Sequence, residues 1–306
     1  MITVPIDSTK MQDHLLHVKE DGLTIFLLEN QSVRGTILNG TRMINQMRKN
    51  HQTGILETLA LGHGYLAAAL MTSMVKGDDR IALHLECGGP VGGIVAEASA
   101  HGDVRGYLVN NPIEITEPPK SFDLSPYIGP GFLAVTKYIQ EAKQPYSGQI
   151  MLEHGSVAKD LALYFLQSEQ TRTLFFLSIQ FDREGDAVGA GGLFLQALPG
   201  AADGALERVS DRALSMPSLG EFFAEGGDRD ALIAGTFRDP EILAHRPAQF
   251  FCHCTKGYFG EFLASMDSQA RRDIREKGPF PLKISCQNCG SEYTFTQHEI
   301  ASLLSP

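Results

Sequence analysis

The sequence predicts an α+β fold: a large, mostly antiparallel-sheet core with packed helices, then a helical linker, then a small C-terminal four-cysteine domain. Three observations carry this. Strand-like stretches outnumber helical ones up to about residue 200, and Gly, Pro and acidic residues increase between 201 and 249. Four of the five cysteines fall within the last 55 residues. The chain has 306 residues and is 43% apolar, enough for one large domain plus a smaller one. The boundaries read from it are 1–200 for the core, 201–249 for the linker and 250–306 for the C-terminal domain.

Taken in order, Leu23, Ile25 and Leu27 share one face of an extended run. The turn-like Glu29-Asn30-Gln31-Ser32 then leads into a second run from Gly35 to Leu38, and together they predict a β-hairpin. A short helix around Met43, Ile44 and Met47 precedes a long one from Thr53, read as its N-cap, to Lys76-Gly77. That apolar stretch is interrupted by Glu57, His63 and several glycines, which predicts a buried core helix and not a membrane span. Arg80 to Leu108 reads as three strands broken at Cys87-Gly88-Gly89-Pro90 and His101-Gly102-Asp103, an antiparallel meander. Further strands are expected near 131–136, 148–152, 173–181 and 188–196, with a helix from about Ser156 to Gln170. The linker carries nine Asp or Glu against five Arg and is expected to be helical and weakly packed.

A net charge of −10 and a pI near 5.5 repel phosphate backbones and anionic lipid, so the partners are expected to be proteins, with no nucleic acid and no membrane. Met1 to Asp21 has neither the basic start nor the apolar stretch of a secretory signal, and a cytoplasmic location is expected. Cysteines in that compartment stay reduced, which favours metal binding or thiol chemistry over a permanent disulfide scaffold.

Cys252-His253-Cys254 and Cys286-Gln287-Asn288-Cys289 form a CxC and a CxxC separated by 31 residues. Two close pairs of thiolates brought together by an intervening fold are what a tetrahedral zinc ion needs, with Zn–S bonds of about 2.3 Å. Cys252, Cys254, Cys286 and Cys289 are therefore the expected ligands and zinc the expected cofactor. The insert supports a closed module. Tyr258, Phe259, Phe262 and Leu263 recur at helical spacing, and a second helix from Ser268 to Lys277 stops at Gly278-Pro279. Leu282, Ile284, Tyr293 and Phe295 alternate as a hairpin around the CxxC, and Thr296 to Glu299 reads as a capping box.

Such a site could be a permanent structural zinc ribbon binding a protein or RNA, a thiol oxidoreductase centre, or a reversible switch. A cramped CxC disulfide would be easily reduced again, which suits a switch. Residues 252–306 hold six Lys or Arg against six Asp or Glu, less basic than a nucleic-acid finger. His253 is expected to be a bystander, since four thiolates complete the tetrahedron. Cys87 reads as a strand-end thiol with no His and Asp arrangement around it. The glycines of 88–93 and 189–192 lack a phosphate-loop ending and read as turns and close packing. Ser168-Glu169-Gln170 reads as a polar helix end.

The CxC and CxxC at this spacing, at the end of a chain of this size, resemble the redox-regulated heat shock protein 33 chaperone family. Val33-Arg34-Gly35, Gly102-Asp103-Val104-Arg105-Gly106-Tyr107, Pro145-Tyr146-Ser147-Gly148, Tyr164 through Gln170, and Ala190-Gly191-Gly192 to Leu198-Pro199-Gly200 extend the resemblance upstream in order. It covers roughly Asp21 to Leu304, and residues 1–20 add nothing to it. The resemblance implies a non-enzymatic, ATP-independent holding chaperone that is inactive when reduced and zinc-bound. It implies that oxidant pairs Cys252 with Cys254 and Cys286 with Cys289, releases zinc and unfolds the zinc domain and linker. Exposed apolar surface would then hold unfolded or aggregation-prone client proteins. Dimerisation on oxidation is implied only by the family. His253 within the CxC, Gln287-Asn288 within the CxxC and Cys87 in the core depart from the family's usual pattern.

Overall fold

A computed structural model of the chain describes residues 1–117, 119 and 121–304, so the last two residues of the expected C-terminal domain lie outside it. A short α1 (Thr9–His17) precedes the hairpin of β1 (Gly22–Leu28) and β2 (Val33–Asn39). Its turn runs through Glu29, Asn30 and Gln31 at φ of 50°, 52° and 65°. There follow α2 (Thr41–His51), α3 (Ile55–Met71), β3 (Arg80–Cys87), β4 (Gly93–Ser99), β5 (Asp103–Leu108) and a one-turn α4 (Ser125–Ile128). Next come β6 (Gly131–Tyr138), β7 (Tyr146–Met151), α5 (Val157–Ser168), β8 (Thr173–Phe181) and β9 (Ala187–Ala197). The α+β class and the strands of the meander stand where the alternation of apolar residues puts them.

The strands form a five-stranded sheet in the order β10-β1-β2-β9-β8, where β10 is Glu241–Arg246, and a six-stranded sheet ordered β11-β5-β4-β3-β6-β7, where β11 is Gln249–Phe250. Every pairing is antiparallel except β11 on β5. Between the sheets lies α3, apolar all round and touching strands of both, which is why it shows no polar stripe. Extended through a 3₁₀ turn to Met74, it is long and apolar enough to cross a membrane, yet 89% of its 18 most apolar consecutive residues are buried inside the protein. Its polar interruptions are accommodated: the Glu57 carboxylate accepts the Ile113 N–H at 2.8 Å.

Two expectations for this helix need correction. Thr53 is not the N-cap, a position held by Gly54 with no side-chain cap; the buried Thr53 hydroxyl bonds that of Thr58 at 2.8 Å instead. The regular helix stops at Met71, short of Lys76-Gly77. Beyond it the Arg246 guanidinium donates to the Thr72 and Val75 carbonyls at 3.0 and 3.1 Å, a long-range closure that no local signal announces.

Residues 201–249 are helical as expected over α6 (Ala205–Ala213), α7 (Leu219–Ala224) and α8 (Arg229–Thr236), but they also supply β10, which pairs with β1. They pack more tightly than their composition reads. Val209, Phe223 and Ile233 are buried against Phe26, Leu28, Val33 and Ile37 on the outer face of the five-stranded sheet, forming a second apolar cluster. The glycines of β9 serve this packing, since a Cβ at Gly189 would stand 2.0 Å from the Gly220 carbonyl oxygen of α7. That is close backbone approach, as read from the sequence, and not phosphate binding.

A candidate metal centre

The C-terminal segment leaves β11 in an extended conformation through Cys252 and Cys254 and turns at once into α9 (Lys256–Ser265). Thr255 caps that helix by accepting the Tyr258 N–H. A second helix, α10 (Ser268–Lys277), ends at Gly278, and β12 (Leu282–Ser285) and β13 (Glu292–Phe295) form the expected hairpin. The chain then enters α11 (Gln297–Leu303) through a capping box of Thr296 and Glu299. At the hairpin turn the Cys286 carbonyl accepts the N–H groups of Cys289 and Gly290 at 3.2 and 2.8 Å, and Cys286 donates back to the Ser291 carbonyl at 2.8 Å. Gly290 has φ 69°, and a Cβ there would meet the Asn50 carbonyl oxygen at 2.4 Å, so glycine suits both the turn and the contact.

This folding brings Cys252, Cys254, Cys286 and Cys289 together, all buried, with their four sulfurs within 4.8 Å of one another. The Cys252 and Cys286 sulfurs are 3.8 Å apart and those of Cys254 and Cys289 3.3 Å, each pair joining one motif to the other. A tetrahedron with Zn–S bonds of about 2.3 Å places its sulfurs about 3.8 Å apart, so the cluster has the size a zinc ion needs. Its electrostatics point the same way. Hydrogen bonds from Cys286 and Cys289 hold the Cys252 thiol far below its ordinary range. The same bonding to Cys252 drives Cys286 far up and Cys289 to about 11, since neighbouring thiolates cannot all ionise without a cation among them.

Polar side chains surround the sulfurs. The Tyr293 hydroxyl lies 3.3 Å from the Cys254 sulfur and donates to the Cys254 carbonyl at 2.9 Å, and the Ser291 hydroxyl is 3.2 Å from the Cys289 sulfur. From the core, Arg105 Nη1 reaches the Cys252 sulfur at 3.8 Å. His253 is 71% exposed and faces Asp103 at 3.2 Å, outside the sulfur cluster. Cys87 ends β3 far along the chain, and burial pushes its thiol up, away from reactivity. Ser168-Glu169-Gln170 closes α5, with Glu169 paired to Lys137 at 2.7 Å.

The module sits on the outer edge of β5. The Gly102 and Val104 carbonyls accept the N–H groups of Gln249 and Phe251 at 2.9 and 3.0 Å, and the Gly106 N–H donates to the Asn288 carbonyl at 3.1 Å. The buried Asn50 amide donates to the carbonyls of Cys289 and Ile2 at 3.1 and 2.8 Å, and the Ser291 hydroxyl accepts the Ile2 N–H at 2.8 Å. The N-terminal residues thus lie along the seam between core and module. Sequence reasoning missed Arg105, Asn50, Ser291 and the Tyr293 hydroxyl as neighbours of the cluster. Arg105 lies inside the stretch from Gly102 to Tyr107 that carries the upstream resemblance, and this edge is what that stretch builds.

A two-sheet α+β core with a docked four-cysteine module places the chain among chaperones, as its relatives show. A 33 kDa chaperonin of Geobacter sp. (strain M21) is 32% identical over 289 residues, covering 93% of this chain and 97% of its own. One from Lactococcus lactis subsp. cremoris (strain MG1363) is 32% identical over 90% of this chain and 96% of its own. The crystal structure of the 33 kDa chaperonin, a heat shock protein 33 homolog, from Thermotoga maritima superposes with a TM-score of 0.81. It is 26% identical and covers 94% of this chain and 98% of that one. The Hsp33 protein family model matches residues 21–296, and the chain belongs to the Hsp33 family.

Proposed function

We propose that this chain is a redox-regulated, ATP-independent holding chaperone of the cytoplasm, inactive when reduced and zinc-bound and activated by oxidation. Residues 1–200 are its chaperone core, 201–249 its metastable linker and 250–306 its zinc-binding switch. The observation that carries the reading is the convergence of four buried cysteines from both ends of a small module, in which Leu263, Tyr293, Phe295, Ile300 and Leu304 are buried and α10 buries none of its residues. Cys252, Cys254, Cys286 and Cys289 would hold zinc, which when bound keeps the sulfurs as thiolates and ties the two ends of the module together.

The chain's own residues account for the response to oxidant. Each pair of thiolates gives two electrons to one peroxide, which takes two protons from solvent, forming one S–S bond and two waters. Two peroxides therefore consume all four thiolates and leave no ligand for the metal. We assign the pairs as Cys252 with Cys254 and Cys286 with Cys289. All four sulfurs lie within 4.8 Å of one another, so each motif can close its own disulfide, and doing so removes the ligands that tie one motif to the other. Once the module loosens, the linker loses its anchor at β11. The apolar face formed by Phe26, Leu28, Val33 and Ile37 then becomes available to unfolded or aggregation-prone clients. Dimerisation in the oxidised state accompanies this reading.

The test is a peroxide titration of reduced, zinc-loaded protein at elevated temperature, following zinc release, disulfide-linked peptides and suppression of a client's aggregation together. All three should rise in parallel and reverse with dithiothreitol and zinc. Zinc retained throughout, with no holding activity, would leave a constitutive structural zinc module that binds a protein or RNA partner.

A further inference from the structure

Among the polar side chains around the sulfur cluster, Arg105 differs in origin. Tyr293 and Ser291 belong to the module and move with it, whereas Arg105 stands on β5 of the core and reaches across the seam to the Cys252 sulfur at 3.8 Å. Its other arm is fixed: Nη2 donates to Glu97 Oε1 at 2.9 Å, from the residue directly opposite on β4. Glu97 is shared with Arg80 at 3.0 Å, so two guanidinium groups outnumber the one carboxylate between them, while Asp103 further along β5 is turned to His253 at 3.2 Å. In a chain of net charge −10 that local excess faces a module whose side-chain charges balance, six basic against six acidic over 252–306. The charge it meets there is that of the sulfurs.

We propose that Arg105 is a charge-reading latch, a positioning residue that holds the four-cysteine module on the core only while the sulfurs are thiolates. The inference rests on the zinc-switch reading above. Four thiolates around one divalent zinc carry a formal charge of −2, which attracts the guanidinium. Two disulfides without metal carry none. Oxidation therefore removes the attraction between module and core at the same moment that it removes the module's internal tie, and the covalent change becomes undocking along β5.

The experiment is hydrogen exchange on the full chain, read at the Gln249 and Phe251 amides, which are bonded to the Gly102 and Val104 carbonyls of β5. In the reduced, zinc-loaded state Arg105→Gln should still bind one zinc, by chelator titration, yet exchange these amides about tenfold faster, as loss of one charged hydrogen bond implies. Arg105→Lys should recover part of the protection. Molar salt should speed exchange in the wild type and leave Arg105→Gln nearly unchanged, since the Arg105 side chain is 25% exposed and can be screened. After oxidation and metal loss the wild type and Arg105→Gln should exchange alike. Equal exchange in the reduced state, no recovery with Lys, or loss of zinc stoichiometry in Arg105→Gln would overturn the latch. If the wild type itself binds no zinc, or keeps these amides protected after oxidation, the switch reading falls and the latch with it.

Discussion

At the scale of single residues, two side chains have effects that can be separated from the rest of the fold. The Tyr293 hydroxyl donates to the Cys254 carbonyl at 2.9 Å beside the Cys254 sulfur, and a hydrogen bond to a ligand residue steadies its orientation. Tyr293→Phe keeps the ring that packs on Phe259 and removes only the hydroxyl. Zinc affinity, measured by competition with a chromophoric chelator, should fall about tenfold with the module still folded. An unchanged affinity would mean that this bond does not orient the ligand. His63 on α3 has its pKa lowered by burial to about 4. Unfolded chains take up that proton near the ordinary 6.5, so between those values the unfolded state binds more protons and stability is lost as pH falls from 7 toward 4. His63→Leu should flatten this dependence. The urea midpoint should drop less from pH 7 to pH 5 in the variant than in the wild type, and equal slopes would show that other groups set the acid response.

At the scale of elements, α5 shows how a local reading and a tertiary one divide the work. Ser156 occupies the N-cap but makes no side-chain cap bond. The fully buried Asp160 carboxylate instead fixes the segment that enters the helix, accepting the N–H groups of Glu153, His154 and Ser156, each at 2.9 Å. Asp160→Ala should cost about 3 kcal/mol in chemical denaturation, because three buried donors lose their acceptor. A loss below about 1 kcal/mol would show that water replaces the carboxylate. The helix itself was legible, as were the β1–β2 hairpin, the strands from Arg80 to Leu108 and the capping box at Thr296, since each depends on residues close in sequence. What escaped depends on distant partners. β10 has a mostly exposed pattern and becomes a strand because β1 offers it an edge. The residues before α1 matter because Asn50 and Ser291 lie beside them, a proximity no periodicity encodes. The four cysteines were legible for the same reason the hairpin was: each pair is local, and only tetrahedral coordination is needed to join the two pairs.

At the scale of the whole molecule, the three parts of the chain differ in what holds them together. The core has α3 enclosed between two sheets. The module has α10 without a buried residue and a cluster of sulfurs at its centre, so metal binding, worth about 10–16 kcal/mol in small zinc modules, should dominate its stability. The linker lies between them, tethered by β10 to the first sheet and by β11 to the second, with its apolar residues on the outer face of β1 and β2. Chelating zinc under reducing conditions should therefore unfold the chain in stages. Amides of the CxxC turn should lose protection first, those of α7 and α8 next, and those pairing β3 with β4 and β6 last, at a clearly higher temperature. The order follows from the tethers. The β11 contact with β5 is two residues long and depends on the module, while the pairing of β3 is central to its sheet and independent of it. Hydrogen exchange along a thermal ramp reads all three regions at once. If α7 and α8 stay as protected as β3 after the module has melted, residues 201–249 belong energetically to the core. The holding surface would then have to be sought at the β5 edge, not under the linker.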